Sequence, residues 1–445
     1  MRTHSSRSAV VSLLVASCFL ALLVVARTPD EGTVTATMLQ ADGQLRWYRG
    51  NIHTHSLWSD GDDYPEMIAL WYREQGYDFL SLSDHNILSN FERWTNPAKN
   101  KGGATAYDKL KKQFPDNWVE ERTVDDHTEV RLKTFQEISE LLNIPGRFLM
   151  VQGEEITDRF KNLPIHMNAT NIQEQIPPLG GDSVYETMQN NVNAVIAQSE
   201  RTGQPILIHL NHPNYGYGVT AEDLMRVHGE NFFEIHNGAP AVANYGDETH
   251  LGTEQMWDII LAKRLMELHM PIMYGIATDD SHVYHEQAVG KSNPGRGWIM
   301  VLADKLVPES LIAAMNAGRF YASSGVTLNQ VVSSDKSLSL EIQAEEGVTY
   351  TTEFVGTRKG ADLTGMPMMG ADGKPIEGRF RYSKDVGQVL KTVTGNKASY
   401  TFQGDEIYVR ARVTSSKLHP NPYAKGDYEQ AWVQPAIGPA GPRNE

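Results

Sequence analysis

Histidine and carboxylate residues recur in this 445-residue chain where short apolar runs end. The set begins with His53-Thr54-His55 and Ser59-Asp60-Gly61. It continues through Ser83-Asp84-His85-Asn86, Gly153-Glu154-Glu155 and the lone His166, and closes with His212-Pro213 and Asp279-Asp280-Ser281-His282. Imidazole and carboxylate without thiolate suit borderline and hard divalent cations such as Zn, Mn, Fe or Mg. On a strand, His53 and His55 point to the same side, so both rings can reach one ion. Gathered by a fold, these histidines and acids form a multinuclear metal pocket, an arrangement suited to catalysis.

The elements that must gather them are also legible. From about residue 46 to 325, short apolar runs alternate with helical patterns, as in repeated βα units. Asp63 is positioned to cap a helix with Pro65 in its first turn, Met67, Leu70 and Trp71 on its apolar face and Gly76 at its end. Phe79-Leu80-Ser81-Leu82 then reads as a buried strand that delivers Asp84 and His85. A second helix is predicted near 183–199, with Val184, Met188, Val192 and Val195 on one face and Gly203 and Pro205 to stop it. Further strands are predicted at 148–151, from 206, at 232–235 and at 272–276, each followed by candidate ligands. In α/β barrels reactive groups come from loops at the C-terminal ends of strands, so residues far apart in sequence can converge.

Residues 90–145 break this rhythm. They are polar, with one helix expected around 129–142, and read either as a lid or substrate-selecting insertion or as a surface excursion. After Gly325 the texture changes to strict alternation, in Leu338, Leu340, Ile342 and Ala344 and again in Ile407, Val409, Ala411 and Val413. Asp372-Gly373 and Gly395-Asn396 supply turn signals. A small antiparallel β domain of sandwich type is expected over 326–437, followed by a tail at 438–445.

The formal charge of −15 and the lack of Lys/Arg runs argue against a nucleic-acid partner. A phosphorylated small substrate stays compatible, because bound cations reverse the field inside one pocket. Arg2 and Arg7 precede an apolar run from Ala9 to Ala26, which reads as a secretory signal over 1–27 with Val24-Val25-Ala26 as a cleavage site. The run is also just long enough for a membrane anchor, and Val15-Ala16-Ser17-Cys18 is similar to a lipoprotein box. All three readings share export to a periplasmic or extracellular space, with membrane contact only through this segment; residues 28–46 follow as a linker. Cys18 is the only cysteine, so no disulfide scaffold or thiolate ligand is expected in the mature chain.

Gly50-Asn51-Ile52 before the first histidine pair and Ser59-Asp60-Gly61 after it make the pattern specific. Over roughly 47–325 it resembles the PHP family, named for polymerase and histidinol phosphatase. The resemblance implies an α/β fold, a distorted seven-stranded β/α barrel, carrying two or three divalent ions (Zn, Mn or Fe). It implies one ion on His53, His55, Glu155 and Asp280, a second on Glu155, His166 and His212, and a third on Asp60, His85 and His282. Glu155 is preferred to Glu154 by the Gly-x-Glu spacing, and His212 to His209 by the proline after it; His209 then lines the pocket or bonds within it. Asp84 is expected to orient its neighbours. His236 and Arg296 are assigned either to the pocket or to structure. The implied activity is phosphomonoester or phosphodiester hydrolysis by a metal-bridging hydroxide, with Asp280, Glu155 and His282 as catalytic groups. Gly295-Arg296-Gly297-Trp298 and the run from Gly318 to Gly325 look like an exported, CehA/McbA-like branch, named after carbaryl hydrolases, which carries a fused C-terminal β domain. That branch leaves carbamate, carboxyl-ester or amide hydrolysis as the alternative. A non-catalytic, metal-loaded binding module is the reading from a different class.

Overall fold

Apolar runs buried on both faces set the central strands. Phe79–Leu82, Leu207–Leu210 and Phe232–Asn237 are buried at every position, as expected of strands covered on both sides. The computed structural model describes residues 45–115 and 117–442. The signal or anchor at 1–27, nearly all of the linker and the last three residues of the tail lie outside the described residues. Among the described residues no helix is long and apolar enough to cross a membrane.

In chain order the main strands are β1 (Arg46–Asn51), β2 (Phe79–Leu82), β3 (Leu149–Phe160), β4 (Leu163–Thr170), β5 (Leu207–Leu210), β6 (Phe232–Asn237), β7 (Tyr274–Thr278), β8 (Trp298–Ala303), β9 (Phe320–Ser323), β10 (Tyr350–Arg358), β11 (Gln388–Thr394), β12 (Glu406–Leu418) and β13 (Tyr428–Ile437). They form one mixed sheet in the order β7-β6-β5-β4-β3-β2-β1-β8-β9-β13-β12-β10-β11. β1 with β2, β2 with β3, β5 with β6 and β6 with β7 are parallel. The β3–β4 hairpin and the β4–β5 pair are antiparallel, as are all pairs from β1 outward to β11. Beyond the ends of β1 and β7 the chain meets again: Thr54 bridges Ser281 in parallel, Asp280 N donates to His53 O at 3.0 Å and His55 N to Ser281 O at 3.0 Å. The protein is thus a mixed α/β structure in which strands distant in sequence deliver their ends to one place.

Helices α1 (Pro65–Glu74), α2 (Val184–Thr202), α3 (Thr253–Lys263) and α4 (Pro308–Asn316) fill the connections. The Ser183 hydroxyl accepts from Glu186 N at 3.0 Å to cap α2, and Gly203 ends it at φ 70, where a side chain would be strained. Val192, Val195, Leu210, Phe233, Trp257 and Ile260 share one core between these helices and the sheet. The cap of α1 differs from expectation. Tyr64 takes the cap position without a side-chain bond, because the Asp63 carboxylate is drawn to Lys109 Nζ at 2.6 Å.

The 90–145 insertion holds more structure than one helix. Strands Arg93–Thr95, Glu121–Val124 and His127–Leu132 form a small sheet, accompanied by helices Gly103–Gln113 and Phe135–Leu142. The helix expected around 129–142 begins only at Phe135, after a capping box of Thr134 and Glu137; Val130 and Leu132 before it are the buried face of a strand. The insertion packs Ala106, Leu110, Val119, Val130 and Leu132 against Leu57, Trp58 and Tyr64, directly under the segment that carries Asp60.

In residues 326–437 two antiparallel sheets face each other, and one of them is part of the main sheet, since β13 pairs with β9. The other joins Leu328–Ser333, Ser337–Ile342 and Lys397–Thr401. Leu338, Leu340 and Tyr400 face Phe354, Val409 and Ala411 between them. Gly395-Asn396 is where the chain leaves β11 in one sheet for Lys397–Thr401 in the other.

Candidate metal centre

The strand ends converge on the ligand types read from the sequence. His53 and His55 follow β1 and are fully buried, and Asp280 follows β7. Asp280 sits at φ 48, a left-handed conformation that Asp tolerates better than most residues, with its amide bonded to His53 O. Glu155 lies within β3 rather than in a loop, since β3 continues through it to Phe160 to pair with β4. His166 faces it from β4.

The donor atoms stand close together. His53 Nε2 is 3.5 Å from Glu155 Oε2 and 3.3 Å from Asp280 Oδ1, while His55 Nε2 is 3.2 Å from each of those oxygens. Glu155 Oε1 is 3.0 Å from His166 Nδ1 and 3.5 Å from His212 Nε2. His85 Nδ1 lies 2.8 Å from Glu155 Oε2. Asp60 Oδ1 is 3.2 Å from His282 Nε2, 3.5 Å from His85 Nε2 and 3.8 Å from His55 Nδ1.

Donors held ~2.0–2.2 Å from a shared ion stand ~3.0–3.6 Å apart along the edges of its shell, and most of these separations fall there. Three of the buried ligand atoms, His55 Nε2, Glu155 Oε2 and Asp60 Oδ1, have no hydrogen-bond partner. Buried polar atoms without partners are uncommon in proteins; here His55 Nε2 and Glu155 Oε2 face each other, and Asp60 Oδ1 faces the nitrogens of His282 and His85. The donor set, nitrogen and oxygen only, therefore fits divalent cations.

Several groups can hold an ion: His53/His55/Glu155, His53/His212/Asp280, His85/Glu155/His166 and His55/Asp60/His85/His282, each with its atoms within 4.8 Å of one another. This grouping differs in detail from the sets implied by the family resemblance. His55 adds its second nitrogen to the Asp60 group, His85 joins Glu155 and His166, and His212 sides with His53 and Asp280.

Charges in the cluster are mutually tuned. Burial would raise the Glu155 and Asp280 carboxyls, but the surrounding imidazoles outweigh it and hold both well below the usual carboxylate range. Burial would lower His53, yet Asp280, Glu234 and Glu155 hold it well above the ordinary imidazole value.

The remaining candidates fall elsewhere. Glu154 points away from the cluster, accepting from Ile176 N at 2.9 Å, and burial pushes it up to about 7. Asp84 accepts from Ser56 N at 2.8 Å, Ser56 Oγ at 2.8 Å and Ser59 Oγ at 2.5 Å, fixing the loop between His55 and Asp60. His209 is fully buried with neither ring nitrogen hydrogen-bonded; its Nε2 lies 3.6 Å from Glu234 Oε1. His236 stacks on Trp432 at 5.3 Å and shares a hydrogen bond with Arg296 O. The Arg296 guanidinium is spent on carbonyls of Gly238, Ala288, Lys291 and Asn421, so it ties loops together away from the ligands.

Sequence reasoning missed Glu234. This fully buried acid on β6 lies 2.6 Å from His53 Nδ1 and accepts from Thr278 Oγ1 at 2.7 Å, His212 N at 2.7 Å and Asn237 Nδ2 at 2.8 Å. A carboxylate behind a ligand imidazole fixes its tautomer and raises its basicity. Its signal was present: an acid inside the wholly buried run Phe232-Phe233-Glu234-Ile235 needs partners. Asn211 was missed too; its side-chain amide donates to Glu155 Oε1 at 2.8 Å.

A cavity of about 300 Å³ opens in front of the clusters, lined by Asp60, His85, His166, His212, Asp280 and His282, with Tyr215, Ala239, Ala241, Val242 and Ser292 completing it.

No protein-family model matches this sequence, and no curated protein does. Solved structures resemble it at low scores. A two-domain protein containing a predicted PHP-like metal-dependent phosphoesterase from Bacteroides vulgatus is 16% identical with a TM-score of 0.40, over 88% of this chain and 95% of that one. PsfC from Pseudomonas syringae is 12% identical at 0.30, over 61% and 88%. An amidohydrolase from Chromobacterium violaceum, with bound sulfate and no metal, is 11% identical at 0.27, over 53% and 88%. Likenesses this distant carry no further weight.

Proposed function

We propose that this protein is a metal-dependent hydrolase of the PHP type, acting as a phosphoesterase. The observation that carries the reading is the set of buried, unpartnered ligand atoms among ligand residues that line a solvent-reachable cavity or touch those that do. The parallel Thr54–Ser281 bridge supports a barrel closed between β1 and β7. In this reading His53, His55, Asp60, His85, Glu155, His166, His212, Asp280 and His282 hold two or three ions. When bound, the ions supply Lewis acidity and lower the pKa of a coordinated water.

The chain's own groups do the rest. Glu234 keeps the Nδ1 proton of His53 in place, so that Nε2 offers its lone pair to the cluster. Asn211 and Asn237 hold Glu155 and Asp280 through single amide hydrogen bonds at 2.8 Å and 3.2 Å. The Asp280 carboxylate lines the cavity, where it accepts a hydrogen bond from the attacking water and orients it. Asp60, His85 and His282 lie together along the cavity, where they would hold an ion whose charge would stabilise the oxygens that gain charge as the bond breaks.

A second reading, hydrolysis of carboxyl esters, carbamates or amides on the same groups, is favoured by one feature: among the described residues no Lys or Arg lines the cavity. The deciding experiment is turnover by Mn- or Zn-reconstituted protein on phosphate and carboxylate esters that share one leaving group, with Asp280→Asn as control. Phosphoester turnover lost in the variant supports the first reading. Preferential ester turnover, also lost in the variant, supports the second. Silence on both with metal bound sinks the hydrolase reading.

A further inference from the structure

The cavity has two unlike sides. The ligand side is polar; the other is made by Tyr215, Ala239, Ala241 and Val242. That second side is built rather than incidental. Tyr215 and Val242 form an antiparallel bridge between the loops after β5 and β6. The Asn214 side chain pins the second loop by donating to Ala243 O at 2.8 Å and Leu251 O at 2.9 Å. From the C-terminal segment the Tyr423 hydroxyl donates to Val242 O. The Tyr215 ring, 40% exposed, stands edge-on to His212 at 5.2 Å and tilted to His166 at 5.8 Å, so it borders both the ligands and the open space.

Charge on the two sides is equally unlike. The lining residues include two carboxylates and no Lys or Arg, and the nearby Lys101 ammonium is engaged by Asp60, at 2.6 Å from its carbonyl and 3.3 Å from Oδ2. Apart from the imidazoles of the ligand side, positive charge in the cavity comes only with bound ions, again on that side. Against Ala239, Ala241 and Val242 an anionic or hydroxyl-rich group would lose water and find no side-chain partner, the Tyr215 hydroxyl being the one polar group of that side. An apolar group placed there loses nothing and covers the wall.

We propose that this wall is a substrate subsite for an apolar, uncharged group of single-ring size, with any negative charge of the substrate confined to the reacting centre. A cavity of about 300 Å³ lies at the small end of ligand sites and suits a small ester. The inference rests on the hydrolase reading for what happens to the substrate, but not for what the wall binds.

The test separates the two. Calorimetry on the Mn-loaded full chain compares benzylphosphonate with methylphosphonate, neither of which can be hydrolysed as an ester. Benzylphosphonate should bind about tenfold tighter or better. Tyr215→Ala should reduce that ratio to about threefold or less while methylphosphonate affinity holds. Ala241→Lys, at an exposed position, should favour 4-carboxybenzylphosphonate over benzylphosphonate where the parent protein does the reverse. Equal binding of the benzyl and methyl compounds, or ratios unmoved in both variants, overturns the subsite. Turnover of benzyl phosphate and benzyl acetate is scored separately: its absence counts against the hydrolase reading and leaves the binding result standing.

Discussion

Arg410 and Asp258 meet in a bidentate pair at 2.8 Å and 2.6 Å, and Arg410 also reaches Glu254 at 3.0 Å. Arg412 joins Glu254 at 3.0 Å to Glu353 at 2.6 Å, and Tyr408 donates to Asp258 at 2.8 Å. This network fastens α3 to β12 and β10, and its charges answer one another. The ligand cluster, after β1 and β7 and within β3, is buried at His55 and Glu155 but left open: His55 Nε2, Glu155 Oε2 and Asp60 Oδ1 face other ligand atoms without bonding them. Both arrangements remove charges from water at considerable cost. In the first the chain supplies the compensation itself, so the network can only hold the structure together. In the second the compensation has to be added, which is how a binding site differs from a clamp.

The largest expected break in that comparison is Asp280→Asn. Loss of a partner behind a ligand costs ~10–100-fold in metal affinity or activity, and loss of a ligand itself should exceed this. Turnover should fall by more than about a hundredfold, with lower metal content by atomic emission. A chelator should reduce the Tm of the parent protein, because an ion bound only by the native state stabilises it, and should reduce that of the variant much less. Parent-like metal content and turnover in the variant would dismiss the open network as a metal site. Arg410→Met breaks the closed network instead. It leaves Asp258 buried without its cation and Glu254 with Arg412 alone, and the expected loss is ~3–5 kcal/mol in urea denaturation, with metal content unchanged. If metal content fell with Arg410, the two networks would not be independent.

Much of the open network could be read in the sequence, because metal ligands are chemically conspicuous residues at the ends of apolar runs. His53, His55, His85 and Asp280 are conspicuous in that way. Glu234 was not, since a single acid in a buried strand looks like part of the strand until its partners are known. Tyr215 sits in a loop without periodicity, and only the bridge to Val242 gives it a place. The alternation of Ile407 to Val413 announced a strand, but which strand it pairs with is a long-range choice that no local period encodes. The closed network was illegible for the same reason: Arg410 and Asp258 are far apart in sequence and carry no spacing signal. In the insertion, Val130 and Leu132 were absorbed into the helix that follows, because two apolar residues two apart fit the end of either pattern.

Glu234→Gln sharpens the comparison at intermediate size. The amide keeps the volume of the acid but removes the charge that fixes the His53 proton, so metal affinity should drop ~10–100-fold with little change in urea stability. Glu234→Asp should recover part of the loss. Equal affinity in all three proteins would reduce Glu234 to a packing residue.

The smallest effect is expected at Lys101, whose ammonium leans on the open network at Asp60. Its side chain is 59% exposed, and it touches Asp60 Oδ2 and the Asp60 carbonyl while Oδ1 is left to the histidines. Two opposite outcomes of Lys101→Met can be argued. Losing the contact could loosen Asp60, or it could remove a like charge beside an incoming cation. The loop is held without Lys101, by Gly61 N on Ser56 O at 3.0 Å and Asp62 N on His282 O at 2.9 Å, so the electrostatic effect should win. An exposed pair is worth only ~0.2–1 kcal/mol, which sets the change at roughly fivefold or less toward tighter binding. Because it acts through solvent-exposed charge, it should fade as salt shortens the Debye length to ~3 Å near 1 M. Weaker binding in the variant, or a change that persists at high salt, would make Lys101 a strut for Asp60 and shift the insertion from the edge of the open network into its framework.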